Sequence, residues 1–250
     1  MKKVIDLNAD LGEGGLHDES ILACVSSVNI ACGWHAGDTD SIRRAITAAL
    51  QHGVAMGAHP GYPDKANFGR LPMARTPQQV YDDVLYQVGA LETMVRAAGG
   101  KLGHVKPHGA LYNQASVDPA LADAIAAAVH AADPALCLVG LAGSELIEAA
   151  HRHGVIPIAE GFADRAYLPD GTLAPRDKPG SVFGTIPAVL QQTLAFVESG
   201  QVATLDGAYI RLAVDTICLH GDGEYALALA QGIRNMLSRV GVTVSADRPC

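Results

Sequence analysis

"VKPHGALYN", Val105 to Asn113, places a lysine, a proline, a histidine and a glycine directly behind an apolar run. Two titratable groups at that point suit the tip of a strand that opens on solvent or a ligand. The same arrangement recurs along the chain. VIDLN (4–8), SVNIAC (27–32), VAMGA (54–58), LGHVK (102–106), LCLVGL (136–141), VIPIAE (155–160) and AVDTICL (213–219) read as seven strands.

Helical patterns with readable ends lie between them. Thr76-Pro77-Gln78-Gln79 is a capping box with proline at the first helical position. The helix it opens carries Val80, Val84, Val88, Leu91 and Val95 on one face and stops at Gly99-Gly100. Asp118 and Thr185 are set to cap two more, and a last helix is expected from near Asp222 to Gly241. Strands alternating with helices predict a parallel sheet covered by helices. The number of units in 250 residues matches a single TIM-like (β/α) barrel over residues 1–250, seven-stranded or irregular. A doubly wound sheet fits less well, because "DLNADLGEGG" lacks the G-x-G-x-x-G spacing after the first strand. The long connections 59–75 and 161–184 are expected to be binding loops or lids.

Composition narrows the function. With 49% hydrophobic residues the chain buries a substantial core, and a net charge of −8 disfavours nucleic acid. No apolar segment is long enough to span a bilayer, and Asp6, Asn8 and Asp10 interrupt the N-terminal run too early for a signal peptide. A soluble cytoplasmic protein is expected. Five cysteines without a C-x-x-C pair suggest small hydrophobes rather than a disulfide framework.

The polar residues fall at strand tips. Asn8, Asp10 and Glu13 follow the first strand, His35 and Asp38 the second, and His59 the third. Lys106 and His108 follow the fourth, Glu160, Asp164 and Arg165 the sixth, and His220 and Asp222 the seventh. In a parallel barrel all these tips open on one face, so groups far apart in sequence converge there. Singly, many have an ordinary structural reading. Asp38, Asp118 and Asp222 suit helix N-caps, and His52, His130, His151 and His153 lie in helical segments. Recurrence at one topological position favours a functional site.

Several of these segments are specific. "DLNADLGEG", "NIACGWHAGD", "GAHPGYPD", "FGR", "VKPHGALYN", "EGFADRAYLPDGTLAPR" and "LHGD" together resemble the LamB/YcsF family, in order from residue 4 to about residue 222. Trp34, Thr39 and Leu71 depart from the expected pattern. The resemblance implies a barrel related to glycoside hydrolase/deacetylase barrels. It also implies cleavage of 5-oxo-L-proline to L-glutamate coupled to ATP hydrolysis, with 5-oxoprolinase B and C subunits as partners. No phosphate-binding G-x-x-x-x-G-K-[ST] loop is present, so ATP handling is expected to involve the partners.

In that scheme His59 or His108 would be the general base on water, with Asp10 or Glu13 orienting it. Lys106 and Arg165 would hold the substrate carboxylate or phosphoryl oxygens, and Arg176 and Lys178 would close over anionic groups. Asn8, His35, Asp38, Glu160, Asp164 and His220 are further candidates for substrate binding. A rival reading is a metal-dependent amide or acetyl hydrolase with Asp10, His35, His59 and His220 as ligands for a divalent ion. Another is a non-catalytic lactam-binding subunit; both are compatible with a homo-oligomer.

Overall fold

The computed structural model describes residues 3–14, 18–219 and 226–246. Its strands are β1 (Val4–Leu11), β2 (Ser27–Ala31), β3 (Ala55–His59), β4 (Leu102–Val105), β5 (Cys137–Leu141), β6 (Ile156–Phe162), β7 (Gln201–Ala203), β8 (Tyr209–Arg211), β9 (Thr216–Leu219) and β10 (Thr243–Val244). The helices are α1 (Asp18–Ile21), α2 (Thr39–His52), α3 (Pro77–Ala97), α4 (Gly109–Ala115), α5 (Pro119–Ala132), α6 (Glu145–Arg152), α7 (Ile186–Glu198) and α8 (Ala226–Arg239).

Strands β1 to β6 pair in sequence order, all parallel, and β9 pairs with both β6 and β1. The ring is therefore a closed seven-stranded parallel barrel, as the sequence predicts. Short β10 adds to the start of β1, outside the ring. All seven predicted strands are present, shifted by a few residues at most. The antiparallel pair β7–β8 was not expected and sits between α7 and the closing strand.

Helix caps follow the sequence with one difference. Asp38 and Thr76 each make a full capping box, with Ser41 and Gln79, and the Asp118 side chain accepts from Ala120 and Leu121 N–H. Thr185 occupies the N-cap position of α7 without a side-chain cap bond. The expected helix start at Asp222 lies outside the described residues. Among those described, no helix is long and apolar enough to cross a membrane.

The barrel strands are not uniformly apolar. Period-two alternation sends Ile5, Leu7, Ala9 and Leu11 into the main core against the helices. It sends Asp6, Asn8 and Asp10 into the barrel, where they bond to Ser27, Asn29, Lys106, Glu160 and Thr216. Apolar packing inside the barrel comes from a separate small cluster, Cys137, Val139 and Ile158. Cys24, Cys32 and Cys218 are free thiols, whereas Cys137 is disulfide-bonded, a departure from the cysteine expectation.

A polar interior needs room. A Cβ on Gly57 of β3 would lie 2.1 Å from His104 Nε2, so only glycine leaves space for that ring. The His104 Nε2 atom meets Asn29 Oδ1 at 2.8 Å, filling the middle of the barrel.

Candidate active site

The C-terminal ends of the strands deliver their polar residues to one mouth. Strand β1 brings Asp10, and the chain turns at Gly12 (φ 74°) to present Glu13. His59 ends β3. Lys106 extends β4, its N–H donating to Ala58 O at 2.9 Å, and His108 is the N-cap residue of α4. Gly109, at φ 53°, lets the 60–75 loop approach: a Cβ there would lie 2.6 Å from Gly69 O. The glycine in "PHGA" is thus explained by a close backbone contact.

A cavity of about 520 Å³ opens at this mouth, lined by Asp10, Glu13, His59, Arg70, Lys106, His108, Tyr112, Phe162, Arg165 and Arg176, among others. A second, smaller cavity of about 220 Å³ lies at the opposite end, lined by Asp6, Ser27, Lys101, His104 and Thr216 among others. The larger one carries the convergent acid, base and cationic groups, so it is the candidate site.

Lys106 is the hub. Its Nζ lies 2.8 Å from Glu160 Oε1 and 3.2 Å from each of Asp10 Oδ1, Asn8 Oδ1 and Cys218 Sγ. Burial opposes the ammonium, but Asp10, Cys218 and Glu160 outweigh it and hold the pKa well above the usual lysine value. Glu160 is wholly buried, and its oxygens also accept from Asn8 Nδ2 and Tyr112 OH. Asn29 donates to Asn8 Oδ1 and Asp10 Oδ1, both at 2.8 Å, fixing the inner face of the Asp10 carboxylate.

A histidine cluster faces Asp10. His59 Nε2 lies 3.3 Å from Asp10 Oδ2 and 2.9 Å from His108 Nδ1. His35 stacks on His108 with ring centroids 3.7 Å apart, and its Nε2 lies 3.1 Å from Glu13 Oε1. Burial, then the neighbouring His59, pushes the His35 pKa down to about 2 and the His108 pKa to about 3. His59 moves up despite burial, because Asp10 and Glu13 favour its charged form. Burial and the Asp10 charge raise the Glu13 pKa.

Among the described residues, Glu13, His35, His59 and His108 form a group able to hold a metal ion, with ligand atoms within 4.8 Å of one another. Two side-chain facts suit such a site. The distal nitrogens of His59 and His108 are each bonded to a backbone carbonyl, and the buried Nδ1 of His35 has no hydrogen-bond partner.

The structure thus brings together Asp10, Glu13, His59, Lys106 and His108, with His35 packed behind them. Asn8 and Glu160 lie beneath the cavity as supports of Lys106 rather than on its wall. Arg165 and Arg176 line it. Arg165 is buried, and its guanidinium donates to Ala174 O at 2.6 Å and Ser181 O at 3.3 Å, which ties down the 163–185 loop. Asp38 is exposed and caps α2, so its structural reading holds. Lys178 is exposed, and neither it nor Asp164 lines the cavity. His220, and with it the rival ligand set that included it, lies outside the described residues.

Sequence reasoning missed Asn29, Arg70, Tyr112 and Cys218. Asn29 and Cys218 sit inside apolar runs, where the period-two alternation of a barrel strand was the available signal. Arg70 and Tyr112 stood in the quoted segments "FGR" and "VKPHGALYN" without being given a role.

Known proteins agree with this architecture. Residues 5–249 match the model of the LamB/YcsF family. A curated relative, the A subunit of 5-oxoprolinase from Erwinia tasmaniensis, is 53% identical over 243 residues, covering 97% of this chain and 99% of the relative. The crystal structure of a lactam utilization protein from Thermus thermophilus is 46% identical and superposes with a TM-score of 0.92 over 99% of this chain and 100% of that one. A peptidoglycan N-acetylglucosamine deacetylase catalytic domain from Eubacterium rectale shares only the fold, at 12% identity and a TM-score of 0.55, covering 100% of this chain and 91% of that one. Sequence and architecture together show that the chain belongs to the LamB/YcsF family.

Proposed function

We propose that this chain is the A subunit of an ATP-dependent 5-oxoprolinase, a hydrolase that opens the cyclic amide of 5-oxo-L-proline to give L-glutamate. The observation that carries the reading is 53% identity, over nearly the whole length of both chains, to a relative bearing that name. The cavity supports it chemically. One wall holds the carboxylates and imidazoles of Asp10, Glu13, His59 and His108, suited to moving a proton from water. Lys106, Arg70, Arg165 and Arg176 supply positive charge for a substrate carboxylate, a developing oxyanion or a phosphoryl group.

A five-membered lactam is an unactivated amide. Phosphorylation of its oxygen weakens amide resonance. Water then attacks the ring carbon, the C–N bond breaks with the nitrogen leaving as a protonated amine, and a second water hydrolyses the resulting γ-glutamyl phosphate to L-glutamate and phosphate. ATP is the phosphoryl donor in this scheme, and the B and C subunits share its handling, since the chain carries no P-loop sequence. We place this ATP-dependent heteromer in the cytoplasm. Asp10, fixed by Asn29 and Lys106 on one oxygen, is the best-oriented acceptor for the water proton.

The test measures glutamate formed from 5-oxoproline by this chain on its own and with purified B and C subunits, each with and without ATP. Release only with partners and ATP together supports the reading. Absence of turnover in the complete mixture, with each protein folded, overturns it.

A further inference from the structure

We propose that His59 Nε2, His108 Nδ1 and Glu13 Oε1 form a binding site for a divalent transition-metal ion of the Zn²⁺ type. The proposal concerns the same cavity but stands on hydrogen-bond direction and ligand spacing, independent of the 5-oxoprolinase reading.

A backbone carbonyl only accepts. His59 Nδ1 lies 2.7 Å from Lys106 O, and His108 Nε2 lies 2.9 Å from Phe68 O, so both of those nitrogens carry hydrogen. A neutral imidazole has one N–H. With both rings neutral, as metal ligation needs, the remaining nitrogens, His59 Nε2 and His108 Nδ1, carry no hydrogen, and they face each other at 2.9 Å. Carboxylate oxygens complete the crowd: Glu13 Oε1 lies 3.3 Å from His108 Nδ1 and 3.8 Å from His59 Nε2, and Asp10 Oδ2 lies 3.3 Å from His59 Nε2. Lone pairs and anions converge on one point, which requires a cation between them.

A proton or a metal ion can satisfy that demand. The spacing suits a metal: ligands about 2.0–2.1 Å from Zn²⁺ in a tetrahedron sit about 3.3 Å apart, and the three separations among these atoms are 2.9, 3.3 and 3.8 Å. The surroundings suit it too. Metal-bound imidazoles usually donate their other N–H to a carbonyl or carboxylate, and bound carboxylates are themselves hydrogen-bonded. His35 Nε2, 3.1 Å from Glu13 Oε1, is placed to hold the third ligand in that way. Such an ion, when bound, supplies Lewis-acid polarisation of a carbonyl or phosphoryl oxygen and lowers the pKa of bound water.

The test uses the full chain, stripped with a chelator and dialysed, without lactam, ATP or partners. Zn²⁺ and Co²⁺ are titrated in by calorimetry, and Co²⁺ is also followed by its visible absorption. The expected result is one equivalent per chain, lost in His59→Ala, His108→Ala and Glu13→Gln. His35→Asn should weaken binding by roughly 10–100-fold, as for an outer-shell partner. The exposed His130→Ala should bind like wild type. Thermal melts establish that each variant is folded. No uptake by the wild-type chain, or uptake indifferent to His59, His108 and Glu13, overturns the proposal and leaves a proton between the imidazoles. Either outcome is independent of whether the complex releases glutamate.

Discussion

Lys106 Nζ lies 2.8 Å from Glu160 Oε1, with both side chains almost wholly shielded from solvent. Glu160 also accepts from Asn8 and Tyr112, and Lys106 also reaches Asp10. The pair therefore supports the cavity floor and fixes the position of the carboxylate that faces substrate.

Removing Lys106 leaves two carboxylates facing each other without their shared cation. Lys106→Met is expected to destabilise the fold by roughly 3–5 kcal/mol, as for breaking a buried ion pair, and to abolish glutamate release. Urea denaturation of the purified chain, with activity measured in the assembled complex, checks both. A stable, active Lys106→Met protein would remove the lysine from its central place.

Tyr112→Phe removes one hydroxyl donor from a fully buried carboxylate while keeping the ring packed near Phe162. The expected cost is roughly 1.5–3 kcal/mol, typical of hydrogen bonds to charged groups. A shift in the urea midpoint at unchanged slope is the appropriate reading.

Gly57→Ala drives a methyl group into the His104 ring, which it would meet at 2.1 Å. His104 must then leave Asn29, and Asn29 is what orients Asp10. Destabilisation of about 1–3 kcal/mol is expected from overpacking, together with reduced turnover. Wild-type stability in this variant would show that the barrel interior yields more easily than its packing suggests.

His104 also sets a pH dependence. Burial pushes its pKa from 6.5 down to about 4, although Asp6 works in the opposite direction. A depressed value means the unfolded chain binds the proton more readily, so stability rises with pH between these values. The contribution is complete above about pH 6.5 and is lost as pH falls towards 4, on the order of 3 kcal/mol in all. His35 and His108 shift in the same direction, so the isolating quantity is the difference between wild type and His104→Gln. Urea midpoints at pH 7 and pH 4.5 should fall further for wild type than for the variant; parallel declines would contradict the assignment.

Much of this was legible in the sequence because strand runs and helix caps are local signals. The Thr76–Gln79 box and the Asp118 cap appear where residue chemistry places them, and the titratable tips converge because parallel strands share a direction. What the sequence hid was non-local. Nothing near Asn29 reveals that it bonds to Asn8, Asp10 and His104 at once, since those partners come from two other strands. Asp38 shows the converse: a carboxylate one strand-tip away from the cluster is used by the adjacent helix instead. The β7–β8 hairpin escaped because strands of three residues carry too few positions to show a period.

Asp10, held by Lys106 and Asn29, is the group we propose to transfer the proton in ATP-coupled lactam opening. The most direct measurement is kcat for glutamate release by the complete complex built with the wild-type or the Asp10→Asn chain, with circular dichroism showing equal folding. A loss of roughly 10²–10⁴-fold in kcat is predicted, the usual contribution of general acid–base catalysis. Undiminished glutamate release by the Asp10→Asn complex would contradict the account.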